Sequence, residues 1–305
     1  MIDLSVIIVS YNSYHYLEKC LASFFCKVTG ITSEVILVNN NCEDKSLAGL
    51  AEKYHVILIN NRENCGFGKA CNIGLGLARG KYILFVNPDV VFLTNIKRLI
   101  DILNTDSTIG AIGPLIHTGD QRIQTSVGEL PNMLNWFSYN LMINHILPKS
   151  SLFGNYPRFN FKYDRSCEVG WITGAFMLGS KEVFNSIAGF DESFFMFSED
   201  LDFCWRLRRR GYKIVFSNEA EIIHEEGHAA KAYSERRAGM YVESLIILWE
   251  KHFSQRKVVY FVLVYLIGSW VRKLIWLIKN SSFMVSYYDF VMKNCLRYLR
   301  NERKE

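Results

Sequence analysis

Between Phe195 and Asp202 the chain reads FMFSEDLD, placing Glu199, Asp200 and Asp202 directly after an aromatic run and just before the helix-like WRLRRRG. A carboxylate held in place can take or give a proton during a reaction. The same acids have a plainer use. Ser198 can cap a helix whose first turn carries Glu199 and Asp200, where negative charge meets the positive end of the helix dipole. Both readings stay open on these residues alone.

Three further stretches offer side chains that could do chemistry. NPD at 87–89 follows an apolar run and presents Asp89, although a proline turn capped by Asp reads the same way. NCGFGKACNIG at 64–74 sets Gly66, Gly68 and Gly74 around a helix start. Such a turn can cradle phosphate on backbone amides, but its spacing is neither GxGxxG nor a P-loop, and a tight turn before a small-faced helix explains it too. HEEGH at 224–228 spells the HExxH zinc-protease pattern. That chemistry needs a helix, so that both histidines share a face and Glu225 can activate zinc-bound water. EAEIIH instead reads as strand and Gly227 would sit within the helix turn, which leaves a metalloprotease as a remote alternative.

The elements that must position these residues are legible as strand-length apolar runs alternating with helical patterns. LSVIIVS, EVILVNN, VILIN and KYILFVNPDVVF read as strands. Between them, YHYLEKCLASFF started by Asn12 and Ser13, SLAGLAEKY opened by Asp44, and KACNIGLGLA read as helices. This rhythm predicts βαβ units and a largely parallel sheet flanked by helices, with ligands at the carboxyl ends of the strands. SYN at 10–12, NNN at 39–41 and NPD fall on that edge. RIQTSV is a candidate strand, and the span from Trp136 to Tyr163 is aromatic-rich without a clear period. Beyond it, EVGWITGAFMLGS reads as buried strand, KEVFNSI as a short helix, LDFCWRLRRRG as a helix ended by Gly211, and YKIVFS and EAEIIH as strands.

At 305 residues and 50% hydrophobic, the chain can bury a substantial core, which excludes disorder. Eight cysteines without a CxxC pair suit a reducing, cytosolic compartment, and MIDLSVIIVSYN reads as a buried strand instead of a signal peptide. The net charge of +5 belongs to the tail, where Lys251–Glu305 holds 11 Lys+Arg against 3 Asp+Glu. The pattern changes near residue 230, predicting one domain over 1–230 and a helical, membrane-associated extension over 231–305. Val258–Val271 runs 14 residues without a charge, short of the roughly 20 that span a bilayer. Aromatics interleaved with aliphatics and followed by Arg272 and Lys273 fit a helix lying in a membrane interface. A packed helix or a dimer contact fits as well. A nucleic-acid partner is not expected, because the basic tail lacks a recognisable module and is apolar where such a face should be polar.

In this order, VSYN at 9–12, NCGFGKACNIG, NPD, TGAFML at 173–178, GFDESFFMFSEDLDFCWRLRRRGY at 189–212 and IIHEEG at 222–227 resemble the family 2 inverting glycosyltransferases. The likeness is to the subgroup similar to bacterial rhamnosyltransferases and covers most of the chain. It implies a GT-A fold, Rossmann-like, binding a nucleotide-sugar donor with Mg2+ or Mn2+. It further implies Asp200 as the catalytic base and Asp89 as the metal-binding acid of a DxD-like element whose first position is Asn87, with His224 as a second ligand. Ser10, Tyr11, Asn12, Asn39, Asn64, Gly66, Lys69, Asn72 and Asn87 match positions around the nucleotide sugar, and Trp171, Thr173, Gly174 and Glu199 match positions toward the acceptor. Asn39 stands where the family commonly has Asp, so its amide carbonyl would accept the base N–H through a weaker, uncharged bond. The implied reaction moves L-rhamnose from dTDP-L-rhamnose, or another sugar from a UDP- or GDP-linked donor, to a polyprenyl-diphosphate-linked glycan. That enzyme would sit peripherally on the inner face of the cell membrane, in O-antigen or capsule synthesis.

Overall fold

The fold follows the alternation of apolar runs and amphipathic stretches. A computed structural model describes residues 2–41, 46–147, 150, 161–225 and 235–301. Asp44, expected to open a helix, lies outside the described residues.

The first half consists of β1 (Leu4–Ser10), α1 (Tyr14–Lys27), β2 (Ser33–Asn39), α2 (Leu47–Tyr54), β3 (Ile57–Asn60), α3 (Phe67–Leu77) and β4 (Tyr82–Val86). There follow β5 (Val90–Phe92), α4 (Lys97–Thr105), β6 (Ile109–Thr118), β7 (Val127–Gly128), α5 (Met133–Asn140) and α6 (Ile143–Ile146). After these come β8 (Cys167–Val169), β9 (Trp171–Ile172), β10 (Phe176–Ser180), α7 (Lys181–Ser186), α8 (Glu199–Arg209) and β11 (Lys213–His224). Three helices end the chain: α9 (Glu235–His252), α10 (Gln255–Ile278) and α11 (Ser282–Leu299).

The main sheet runs β3-β2-β1-β4-β10-β6-β11-β5, with β8 also pairing β11. β3, β2, β1 and β4 are parallel, as are β6 and β11, while β10 runs antiparallel to both of its neighbours. β1 and β4 are buried along their whole length, as their Val, Ile, Leu and Phe content requires of strands covered on both faces, with Ser5 and Ser10 of β1 buried among them. The stretch EVGWITGAFMLGS, expected as one strand, is three short ones, because residues 173–175 leave the ladder between β9 and β10. YKIVFS and EAEIIH, expected as two strands, form the single β11, whose register on β6 shifts between Phe216 and Glu221. The candidate strand RIQTSV supplies a bridge at Ile123 and the start of β7.

The chain divides into two compact units. One comprises Met1–Val127, Lys162–Phe195 and Glu199–Gly227 and holds the main sheet. Its core joins Leu4, Ile8, Leu21, Phe24, Leu84, Phe92, Phe176 and Ile222, all essentially closed to solvent. The other comprises Gly128–Phe161, Met196–Ser198 and His228–Glu305, so it adds 128–161 and 196–198 to the C-terminal helices. Its core centres on Trp136, Trp249 and Phe261, with the Phe261 ring 4.6 Å from Trp136 and 4.5 Å from Trp249. Gly268 lets α10 close on α5, since a Cβ there would lie 2.5 Å from the Asn140 carbonyl. Arg272 then donates to the Asn140 and Tyr139 carbonyls at 2.8 and 2.9 Å, satisfying oxygens that the end of α5 leaves open. The opposite face of α10 leaves Tyr260, Leu263, Ile267, Trp270, Leu274 and Leu277 exposed, at alternating steps of three and four residues.

Candidate active site

Strand register brings two distant polar segments together. β4 ends at Val86, the NPD turn follows, and β5 pairs antiparallel with β11 so that Val90 faces His224. The Glu225 N–H donates to the Asp89 carbonyl at 3.0 Å, stitching the end of β11 to the turn. In consequence His224 Nε2 lies 3.3 Å from Asp89 Oδ1 and within hydrogen-bond distance, 3.3 Å, of Asn87 Nδ2. Both side chains are largely shielded, with His224 at 9% and Asp89 at 15% exposure. The other imidazole nitrogen, Nδ1, sits 3.1 Å from Gln124 Oε1.

A third segment ties in the acidic helix start. Asp200 accepts the Gly174 N–H at Oδ2 (2.9 Å) and the Leu201 N–H at Oδ1 (2.8 Å). A Cβ at Gly174 would stand 3.4 Å from the Asp200 Cβ, an ordinary van der Waals contact. The adjoining Ala175 carbonyl accepts the Asn87 N–H at 3.0 Å. Asp200, Gly174–Ala175, Asn87, Asp89 and His224 thus form one connected set at the sheet edge. Thr173 is anchored beside them through its N–H to the Ser126 carbonyl at 3.0 Å.

Burial raises the Asp200 carboxyl above its ordinary range, opposed by the two N–H groups it accepts. Burial also lifts Glu199, helped by the neighbouring Asp200 charge, to about 8. Glu199 Oε2 is buried with no hydrogen-bond partner, as are Ser10 Oγ and Trp171 Nε1. Unmatched polar atoms of this kind are costly inside a protein and are where a bound ligand gains most. Ser198 does not cap α8 as expected. Its φ is +62°, following Phe197 at +71°, and its hydroxyl oxygen is buried without a partner. Two successive left-handed residues turn the chain into the helix, a strained geometry found where a site must be held in a particular shape. Asp202, wholly buried, holds Arg206 Nε at 2.6 Å.

The residues expected around a nucleotide separate into groups. Ser10, Asn12 and Asn39 lie at the carboxyl ends of β1 and β2, and Tyr11 is half exposed. Asn12 joins Asn41 (2.7 Å), Asn39 joins Asn60 (2.9 Å), and Asn40 joins Asn64 (2.8 Å) and Asn61 (3.0 Å) in a ladder of amides. The Asn39 side-chain oxygen already accepts the Asn41 N–H and the residue is 1% exposed, so that carbonyl is engaged inside the protein. Gly66, at φ +86°, lies against the Phe195 carbonyl, and the Phe67 N–H donates to that oxygen at 2.9 Å. Asn72 is used on both amide atoms by the Phe190 backbone, and Lys69 reaches Glu192 at 3.8 Å, so neither contacts the Asp89–His224 pair. Gln124 lies within the candidate strand RIQTSV but was not singled out, because a glutamine there carries no chemical signal until its neighbour across the return, His224, is known.

A divalent ion fits the Asp89–His224 pair by the chemistry of its donors. A hard cation takes one or two protein carboxylates and fills its remaining positions from phosphate and water. Among the described residues no third His, Cys, Asp or Glu joins the pair, which leaves such positions open. The zinc-protease alternative fails on the backbone, because His224 closes a strand and not a helical turn.

The mostly parallel mixed sheet flanked by helices is a GT-A fold, with the acidic cluster at the ends of its strands. Residues 5–187 match the profile of Glycosyl transferase family 2, and residues 158–296 match that of Glycosyl transferase family group 2. The chain belongs to glycosyl transferase family 2 and is a glycosyltransferase. It is 25% identical over 314 residues to the N-acetylglucosaminyl-diphospho-decaprenol L-rhamnosyltransferase of Mycobacterium tuberculosis, covering 98% of this chain and 96% of that one. Rhamnosyltransferase WbbL of Escherichia coli K12 is 26% identical over 75% of this chain and 85% of its own. Among solved structures, the mannosyltransferase PcManGT of Pyrobaculum calidifontis in complex with GDP-Man and Mn2+ superposes with a TM-score of 0.58 at 11% identity, over 98% of this chain and 88% of that chain.

Proposed function

We propose that this enzyme is a metal-dependent inverting glycosyltransferase that moves L-rhamnose from dTDP-L-rhamnose to a polyprenyl-diphosphate-linked glycan. The observation that carries this reading is the contact of Asp89 with His224 at 3.3 Å, joined through Asn87 and Gly174–Ala175 to Asp200. The names of the mycobacterial and Escherichia coli relatives support the sugar and the lipid-linked acceptor. Asp89 and His224 would hold Mg2+ or Mn2+, which when bound supplies positive charge to the leaving diphosphate.

The remaining work falls to the protein. Asp200, oriented by the Gly174 and Leu201 N–H groups, takes the proton of the acceptor hydroxyl as that oxygen attacks the anomeric carbon. Glu199, kept neutral by burial, presents a carboxyl with an unpartnered oxygen to the acceptor sugar, alongside Trp171 and Thr173. Ser10, Tyr11, Asn12 and the amide ladder border the nucleoside.

The exposed stripe of α10 supports peripheral attachment to a membrane surface. Arg256 and Lys257 stand exposed at one end and Lys279 at the other, bracketing apolar side chains as an anionic lipid interface requires. The helix is also long and apolar enough, by length and composition alone, to cross a membrane.

The test is a panel of dTDP-, UDP- and GDP-sugars with Mn2+, read by release of nucleoside diphosphate in the presence of a polyprenyl-diphosphate-linked acceptor. Turnover restricted to dTDP-L-rhamnose is expected. Asp200→Asn should lower kcat by about two to four orders of magnitude while sparing donor binding; normal turnover in that variant removes Asp200 from the role of base.

A further inference from the structure

We infer that Gln124 is a positioning residue for the metal site: its side-chain oxygen holds His224 in the tautomer protonated at Nδ1, so that Nε2 faces Asp89 with a lone pair in place of a proton. The inference rests on the proposed ligand pair Asp89 and His224. It adds a residue from a segment that carries none of the family-like motifs.

A neutral imidazole has one N–H donor and one acceptor nitrogen, and the partner of one fixes the other. Gln124 Oε1 can only accept, and it stands 3.1 Å from Nδ1, so the proton resides there. Nε2 then carries the lone pair, and its surroundings agree. Asn87 Nδ2, a donor, approaches it at 3.3 Å. Asp89 Oδ1 lies 3.3 Å from the same nitrogen. A lone pair and a carboxylate oxygen facing each other without a proton between them form a place for a cation.

Gln124 is itself held in place. Its N–H donates to the Ile116 carbonyl at 2.9 Å, and Ile123 bridges back to His117 on β6, which pairs with β11. The strand that delivers His224 and the return that delivers Gln124 are therefore registered on one another, and the hydrogen bond follows from the ladder. Groups that accept the second N–H of a metal-binding histidine fix ring orientation and raise its basicity, and losing one costs about 10- to 100-fold in metal affinity.

Two measurements on the full chain test this. Mn2+ would be titrated alone and with dTDP, by the signal of the free ion, into the parent protein and into Gln124→Leu, Gln124→Glu and Asp89→Asn. Gln124→Leu should weaken Mn2+ by about 10- to 100-fold at unchanged melting temperature, and Gln124→Glu, which restores an acceptor, should bring affinity back. Long-range 1H–15N spectra of the metal-free protein, with His224 assigned by its loss in His224→Gln, should show the Nδ1–H tautomer, giving way to a mixture in Gln124→Leu. An Nε2–H tautomer in the parent protein, or unaltered Mn2+ affinity in Gln124→Leu, overturns the role of Gln124. Equal Mn2+ binding by the parent and Asp89→Asn, with the tautomer as expected, would instead sink the ligand pair, and with it the metal-positioning role.

Discussion

Glu199 should make this protein less stable at alkaline pH, and replacing it by glutamine should remove the effect. Burial and the adjacent Asp200 charge lift its carboxyl from 4.5 to about 8, whereas in the unfolded chain it titrates near 4.3. A carboxyl raised in this direction favours the fold in its protonated form. That contribution is complete below the unfolded value and is lost as pH climbs toward about 8, because the unfolded chain ionises freely while the folded one must keep the proton or bury an anion. Each unit is worth about 1.4 kcal/mol, so the full displacement sets a ceiling of about 5 kcal/mol. Water entering around the anion reduces this, and about 2–4 kcal/mol is expected. Glutamine has nearly the same shape and does not ionise, so the stability of Glu199→Gln relative to the parent should rise by that amount between about pH 5 and pH 8. Urea denaturation of both proteins across that interval reads the difference directly. A flat difference curve would refute the reasoning, since it would mean that Glu199 ionises in the folded protein as it does in water.

Gly66→Ala should cost about 2–4 kcal/mol and disturb the loop ahead of α8, because φ is +86° with ψ at 172° and a Cβ would stand 2.5 Å from the Phe195 carbonyl oxygen; thermal melting checks it, and an unchanged midpoint would show that the loop yields. Asp202→Asn should cost about 3–5 kcal/mol by leaving the Arg206 guanidinium, 17% exposed, without its buried counter-ion; if chemical denaturation shows less than about 1 kcal/mol, the pair is not holding α8. The double change Ile267→Ser, Trp270→Ser should weaken binding to vesicles containing anionic phosphatidylglycerol by at least about tenfold without altering the fold by circular dichroism. Unchanged sedimentation with vesicles would remove this face of α10 from the membrane.

The parts of the fold that the sequence disclosed are those where composition alone decides. β1 and β4 are dominated by Val, Ile, Leu and Phe, with only Ser5 and Ser10 of β1 and Tyr82 of β4 departing from that, and are buried throughout, so they could be read without knowing their neighbours. Strand direction is a different matter. Nothing in FMLGS says that β10 runs against β4, because side-chain period is the same in parallel and antiparallel ladders. In α10, Arg272 and Lys273 seemed to end the apolar run, yet the helix continues to Ile278. Their charges are absorbed locally, Arg272 by the carbonyls that end α5 and Lys273 by Asp289 at 2.6 Å. Asp89, Asp200 and His224 were singled out only through the resemblance of the motifs around them, since an Asp in a proline turn, an acidic first helix turn and a strand-end histidine are each ordinary alone; it is the pairing of β5 with β11 that sets Asp89 and His224 3.3 Å apart. Gln124 was not singled out, since its role exists only through the pairing of β6 with β11.

The amide ladder of Asn12, Asn39, Asn40, Asn41, Asn60, Asn61 and Asn64 contains no ionisable group. The titratable group bonded to it is the Cys65 thiol, 3.3 Å from Asn40 Oδ1, and burial holds that thiol above its usual range, so the ladder carries no charge from acid to neutral pH. Hydrogen bonds to uncharged amides depend little on acidity or ionic strength, so a ligand held by this ladder would keep that part of its grip from acid to neutral pH.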